Sequence, residues 1–378
     1  MEKVTLVLFV GGGEGHSEPE VMVDQTRQAV ALDTVDKALQ TDAIGDIVVV
    51  TNSIAFAQQV EGLSVVVDLD PPGSDFHFGR RLREVVERHE IRRALYMGGG
   101  SGALLSAQAL EELARRLLSA SEILVTNNLY STDFAGFCPA DALGRIPSPD
   151  TDNNLSWLLS EEAGLPAVEL PRTAATQFDV DTPSDLKVLR LHPGVPPKTR
   201  EALDSLSLDT SRAEAIMGLM TSREHEILVA GRVSMNVAAH LEAETACRVR
   251  LISEERGMRA SGRQQRGEAR SLLGLYLDAV GVEDFFSGLT GLGDAVILDS
   301  RVILAGRGHW PSRADRFLSD LGRAEGIADP FLRQLTRAAR EAAVPVMLGG
   351  HSLVAGGLYA LIEAAWERHD AQLSPPQP

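Results

Sequence analysis

The chain has 378 residues, 44% hydrophobic and 24% charged, which is enough material for two domains with separate cores. Its formal charge of −17 excludes a general nucleic-acid binder, which needs a basic surface. Two distant cysteines, Cys138 and Cys247, exclude a disulfide framework and a zinc-ligand pattern. The apolar run after Met1-Glu2-Lys3 is too short for a signal core or a membrane span, so the chain is expected to be cytoplasmic with no membrane partner.

In chain order, apolar runs predict strands at residues 4–10, 46–51, 64–67, 93–97 and 122–126. Between them, helical periodicity appears at 24–40, 76–89, 103–119 and 153–162. Such alternation predicts a parallel or mixed sheet covered on both faces, with ligands gathering at the carboxyl ends of its strands. Three prolines and a glycine within 191–198 read as a linker. A second α/β pattern follows, with strands expected at 227–230, 248–252, 295–298, 302–305 and 345–348. Helices are expected at 235–244, 269–280, 312–321, 331–343 and 353–368. Asp299-Ser300 falls between two apolar runs and suggests a hairpin turn.

Three loops of the first half carry the candidate chemistry. Gly11-Gly12-Gly13 follows the first strand, where glycines let backbone N–H groups approach a base or phosphate. Gly98-Gly99-Gly100-Ser101 follows another strand and leads into a helix. The third is Phe178-Asp179-Val180-Asp181-Thr182-Pro183-Ser184-Asp185-Leu186, read as a strand end running into a helix start. On a strand, Asp179 and Asp181 point the same way, roughly 6–7 Å apart. Two such carboxylates suit a hard divalent cation shared with phosphates. Thr182 is placed to cap the helix, with Pro183 at its first position and Asp185 completing a capping box. Polar loops at 126–133 and 151–154 add Asn127 and Asp133 as substrate-side candidates, while Asp152 reads first as a cap.

With these loops in this order, residues 1–190 resemble the nucleotidyltransferase domain of the glycosyltransferase-A-like (nucleotide-diphospho-sugar transferase) superfamily. The likeness is closest to its small guanylyl- and cytidylyltransferases. It rests on Val10–Gly15 as the nucleotide loop and on Ile47 to Asn52 as the end of the second strand. Met97 to Leu105 stands in the middle loop's position, and Asp179 to Leu186 matches D-[IV]-D-T-P-x-D-L. The resemblance implies a three-layer α/β/α, Rossmann-like first domain, with magnesium on Asp179 and Asp181 and a nucleoside triphosphate as substrate. It implies nucleotide contacts at Gly11, Gly12, Gly13 and Asn52, and substrate contacts at Gly99, Gly100 and Ser101. The chain departs from the family pattern in two places. Glu14, His16, Glu18 and Glu20 stand where the first loop usually carries basic residues, and the middle loop lacks its usual aspartate.

The second half resembles no family. Seven arginines crowd residues 248–270, read either as a solvated face paired with Glu254, Glu255 and Glu268 or as part of an anion site. His309, His351 and Ser352 follow apolar runs and are further candidates.

The expected organisation is a nucleotidyltransferase-like domain at 1–191, a linker at 192–200, a second α/β domain at 201–370 and a disordered tail at 371–378. The expected activity is transfer of a nucleoside monophosphate from a triphosphate to a small phosphorylated acceptor, with release of pyrophosphate. Two alternatives are kept. One is a non-catalytic binding protein (a pseudoenzyme) on the same fold; the other is a sugar-nucleotide glycosyltransferase. Partners are a nucleotide and a small acceptor, with a second copy of the chain allowed.

Overall fold

The computed structural model describes residues 2–12, 17–71 and 75–373. The chain divides into two compact units. The first comprises Met1–Glu14, Asp24–Asp179 and Pro196–Ala202; the second comprises Gly15–Val23, Val180–Val195 and Leu203–Pro378. Neither is one continuous stretch of chain. The segment expected as a linker at 192–200 is already helical from Pro197, in the helix Pro197–Ser205.

The first unit is built on seven strands: β1 (Val4–Phe9), β2 (Ile44–Thr51), β3 (Val66–Leu69), β4 (Ala94–Gly98), β5 (Ile123–Thr126), β6 (Phe134–Cys138) and β7 (Ala167–Glu169). Their order across the sheet is β3-β2-β1-β4-β6-β5-β7. All neighbours are parallel except β6, which runs antiparallel to β4 and β5. Side chains alternate along each strand, and two cores follow from that alternation. Leu6, Leu8, Val49 and Met97 face Ala31 and Val35 of the helix Glu18–Leu39 and Leu110 and Leu113 of the helix Ala107–Leu118. Val7, Phe9, Val48 and Tyr96 face Leu82 and Val85 of the helix Phe78–Arg88 and Leu155 and Leu158 of the helix Leu155–Glu161. The result is three layers, α/β/α.

The sequence does not announce β6 as a strand because it carries a glycine, a poor strand former. The packing explains that glycine: a Cβ at Gly136 would lie 2.7 Å from Leu117 Cδ1. The other strand absent from the sequence reading, β7, has only three residues, all exposed.

The second unit holds four strands: β8 (Glu226–Gly231), β9 (Arg248–Ser253), β10 (Ala295–Asp299) and β11 (Val346–Gly349). All are parallel, in the order β11-β10-β8-β9. Leu228, Val296 and Leu298 pack with Phe285, Leu289, Ile303 and Leu335 into its core. The hairpin expected at Asp299-Ser300 and the strand expected at 302–305 are absent; residues 300–306 form the helix Ser300–Gly306. Asp299 is its N-cap, its carboxylate accepting from Arg301 N at 3.2 Å. Val302, Ile303 and Leu304 are buried on every side, so the run lacks the one-sided periodicity that marks a helix. Residues 371–373, expected in the tail, close the helix Gly356–Leu373, and 374–378 lie outside the described residues. Among the described residues no helix is long and apolar enough to cross a membrane.

Candidate functional site

In the first sheet the chain winds outward through β2 and β3, then returns to place β4 on the other side of β1. The order therefore reverses between β1 and β4, and open α/β sheets bind ligands at the carboxyl ends beside such a reversal. Phe9 pairs with Gly98 at that end, so Val10 to Gly12 and Gly98 to Ser101 are adjacent loops. Gly13 lies outside the described residues.

Each loop is held from within. Asn52, just past β2, accepts from Gly12 N at 2.6 Å and donates to Gly12 O at 3.2 Å. Thr51 Oγ1 donates to Val10 O at 2.6 Å. Asn52 thus fixes the glycine loop. Gly99 is needed for close approach, since a Cβ there would stand 3.2 Å from Phe9 O. Ser101 is buried and donates to Gly98 O at 2.9 Å, closing the second loop on itself.

Asn127 and Asp133 come together but spend their polar atoms on each other. Asn127 Nδ2 donates to Asp133 Oδ2 at 2.7 Å, and Asn127 Oδ1 accepts from Asp133 N at 3.0 Å and Phe134 N at 3.3 Å. This clip starts β6. The sequence reading passed over Tyr96 of β4, whose buried hydroxyl donates to Asp152 Oδ2 at 2.9 Å. Burial, then the charges of Asp152, Asp133 and Asp179, push its pKa well above the ordinary tyrosine value, so the hydroxyl stays a donor. Three carboxylates thus act on one phenol at the carboxyl end of β4.

The strand expected to carry Asp179 and Asp181 is reduced to a single bridge between Asp179 and Ser101. Asp179 belongs to the first unit and Asp181 to the second. Pro183 and the cap at Thr182 turn the chain into the helix Pro183–Leu191 before a second pairing forms. The capping box does form, with Thr182 and Asp185 reciprocating. Among the described residues no group of three or more His, Cys, Asp or Glu side chains is disposed to hold a metal ion.

In the second sheet the reversal falls between β8 and β10. Here the strand ends carry charge. Arg232 forms a fork on Asp299, Nε to Oδ2 at 2.6 Å and Nη2 to Oδ1 at 3.1 Å, with both residues buried. Burial alone would raise the Asp299 carboxyl, but Arg232 holds it below the usual carboxylate range. Arg301 forms a second buried fork on Asp320, both bonds 2.5 Å. Asp185 Oδ2 accepts from Thr182 N at 2.7 Å and from Ser352 Oγ at 2.7 Å, so Ser352 supports the capping box. Asp185 Oδ1 is buried without a partner among the described residues, and burial followed by the Asp181 charge raises the carboxyl to about 7.

The two candidate histidines have separate surroundings. His309 Nε2 bonds Asp329 Oδ2 at 2.8 Å, beside the start of the helix Pro330–Glu341. His351 is open to solvent at the end of β11, yet enough protein surrounds it that desolvation, then Arg232, lowers its pKa to about 4. It is a neutral imidazole at pH 7.

No family model matches the chain, and no curated protein does. Among solved structures it is similar to CMP:2-keto-3-deoxy-manno-octonic acid synthetase complexed with CTP, at 14% identity over 50% of this chain and 97% of that one, with a TM-score of 0.38. It is similar to a cytidylyltransferase from Leptospira borgpetersenii, at 12% identity over 53% of this chain and 92% of that one, with a TM-score of 0.39. A third is 4-diphosphocytidyl-2C-methyl-D-erythritol synthase, at 16% identity over 50% of this chain and 98% of that one, with a TM-score of 0.34. Each likeness extends over about half of this chain.

Proposed function

We propose that the first unit is a nucleotidyltransferase acting on a nucleoside triphosphate and a small phosphorylated acceptor. The observation that carries this reading is the pair of glycine loops on either side of the β1/β4 reversal, one pinned by Asn52 and one closed by Ser101. Backbone N–H groups presented without side chains suit phosphate oxygens and a base edge. An acceptor phosphate oxygen attacks the α-phosphorus, the bond from that phosphorus to the bridging oxygen breaks, and pyrophosphate leaves. Catalysis of this kind rests on positioning and charge stabilisation, with no covalent intermediate on the protein.

In this reading Gly11 and Gly12 approach the nucleotide, and Asn52 sets the loop. Gly99, Gly100 and Ser101 border the acceptor. The Tyr96 hydroxyl and Asp152 form the floor at the end of β4. No step is assigned to a metal. Cytoplasmic residence belongs to the same proposal.

Thermal unfolding with each nucleoside triphosphate, with and without magnesium, tests it. A ligand at about 100 times its Kd adds about 2.7 kcal/mol, a visible shift in Tm. One base giving a shift that Asn52→Ala removes supports the reading and names the donor. No shift with any nucleotide overturns it and favours a scaffold without transferase chemistry.

A further inference from the structure

Four aromatic rings meet at the carboxyl end of β1 and β4, and three of them are buried. Phe9, Phe78 and Tyr96 pack edge to face, with centroids 5.1–5.7 Å apart. Phe76 joins them from outside. Its ring meets Phe9 at 6.4 Å and 68°, yet the residue is 61% exposed. A single apolar side chain on a surface is common and by itself needs no explanation. This one is distinguished by its place and by how its neighbours are fixed.

Phe9 ends β1 and pairs with Gly98, so the ring that Phe76 touches stands at the β1/β4 reversal, two residues before Gly11. On the other side, His77 caps the helix Phe78–Arg88. Its Nδ1 accepts from Arg80 N at 3.4 Å, and its Nε2 lies 3.1 Å from Asp150 Oδ1. Gly79 N donates to Pro149 O at 2.9 Å, and a Cβ at Gly79 would stand 2.4 Å from Pro149 Cδ. The helix start is therefore locked against residues 149–150, which holds Phe76 at the rim of the aromatic cluster. Charge decides what that rim accepts. Asp75 precedes Phe76 and Asp150 lies beside His77, both exposed, so phosphate is repelled and an uncharged, flat group is favoured.

We propose that the nucleobase of the donor triphosphate stacks on Phe76, and that the first unit prefers a purine. This role rests on the nucleotidyl-transfer reading of the same unit. Two nearby side chains able to read a base edge are already engaged. Asn52 holds Gly12 through both ends of its amide, and His77 holds Arg80 N and Asp150. Stacking needs no hydrogen-bond partner and grows with the area of the rings. Ring area is then what separates the bases, and the two-ring purines gain more from it.

The test is calorimetric titration of ATP, GTP, CTP, UTP and inorganic tripolyphosphate, each with magnesium, into the full-length wild type, Phe76→Leu and Phe76→Trp. The expected result is tighter binding of the purine nucleotides, weakened about tenfold in Phe76→Leu and kept in Phe76→Trp, with tripolyphosphate affinity and circular dichroism unchanged. Wild-type purine affinity in Phe76→Leu overturns the stacking role, as does an equal loss for tripolyphosphate, which marks the effect as structural. Tighter pyrimidine binding by the wild type overturns the purine preference. Failure of every nucleotide to bind the wild type is a different outcome: it brings down the transferase reading and the stacking role with it.

Discussion

The two sheets place a strand-order reversal at the same end and line it with opposite chemistry. At β1/β4 the lining is glycine backbone, an amide clamp and a neutral phenol, with Asn127 and Asp133 occupied by each other. At β8/β10 the lining is charge: two buried Arg–Asp forks and an acid with one unpartnered oxygen. In the first arrangement a Cβ at Gly11 would meet nothing within 4 Å, so the main chain there is uncrowded. The second spends its buried charges on internal order.

The comparison breaks most visibly at the buried forks. Arg301→Ala leaves Asp320 buried and unpaired, and should cost about 3–5 kcal/mol in urea unfolding of the second unit. Replacing both partners, Arg301→Met with Asp320→Leu, should recover most of that loss. If the single change costs no more than a surface substitution, the forks are not structural.

Next in size is a pH effect. Folded Asp185 keeps its proton to about 7, whereas an unfolded aspartate releases it near 3.8. The unfolded chain then binds fewer protons, so this residue makes stability fall as pH rises from about 4 to about 7, by at most about 4 kcal/mol. His351 acts in reverse. It stays neutral in the folded state down to about 4 while an unfolded histidine protonates near 6.5, so it makes stability rise over the same interval. Urea midpoints at pH 4.5 and 7.0 separate the two. Asp185→Asn should steepen the rise with pH relative to wild type, and His351→Gln should flatten or invert it. Parallel slopes in all three proteins would show that neither residue is held as described.

Two smaller effects sharpen the first sheet's side of the contrast. Asn52→Ala removes both bonds to Gly12 and should cost about 1 kcal/mol, with a larger loss in nucleotide-induced Tm shift than in basal Tm. Arg88 lies at the rim of a charge network away from the β1/β4 loops, bonding Asp68 Oδ1 at 2.6 Å while half exposed. Arg88→Ala should change the unfolding free energy by less than about 1 kcal/mol, because buried Arg81 and partly buried His89 still hold Asp68.

What the sequence revealed follows from how local each signal is. The apolar runs of β1, β2 and β4 and the T-P-x-D cap are contiguous, and their physics is complete within a few residues. The helix Ser300–Gly306 was misread because total burial hides helical period. The buried Arg–Asp pairs of the second unit were illegible for another reason. Arg232 and Asp299 are 67 residues apart, and Arg301 and Asp320 are 19 apart. Nothing in the spacing of either pair singles it out until the parallel sheet brings the strand ends together. The strand expected around Asp179 and Asp181 shows the opposite case, being reduced to one bridge at Asp179. Their spacing promised a shared strand face, and the proline two residues later ended the pairing first.

Asp33 carries a consequence for synthesis on the ribosome. It is buried in the helix Glu18–Leu39, and its carboxylate accepts from Lys198 N at 3.1 Å, Thr199 N at 2.7 Å and Thr199 Oγ1 at 2.7 Å. Those donors are made more than 160 residues after it. A nascent chain that has completed the seven strands still lacks the donors that satisfy this buried acid. The first unit therefore reaches its final state only when residues 196–202 have left the exit tunnel, and translation has by then already delivered the helix Pro183–Leu191 of the second.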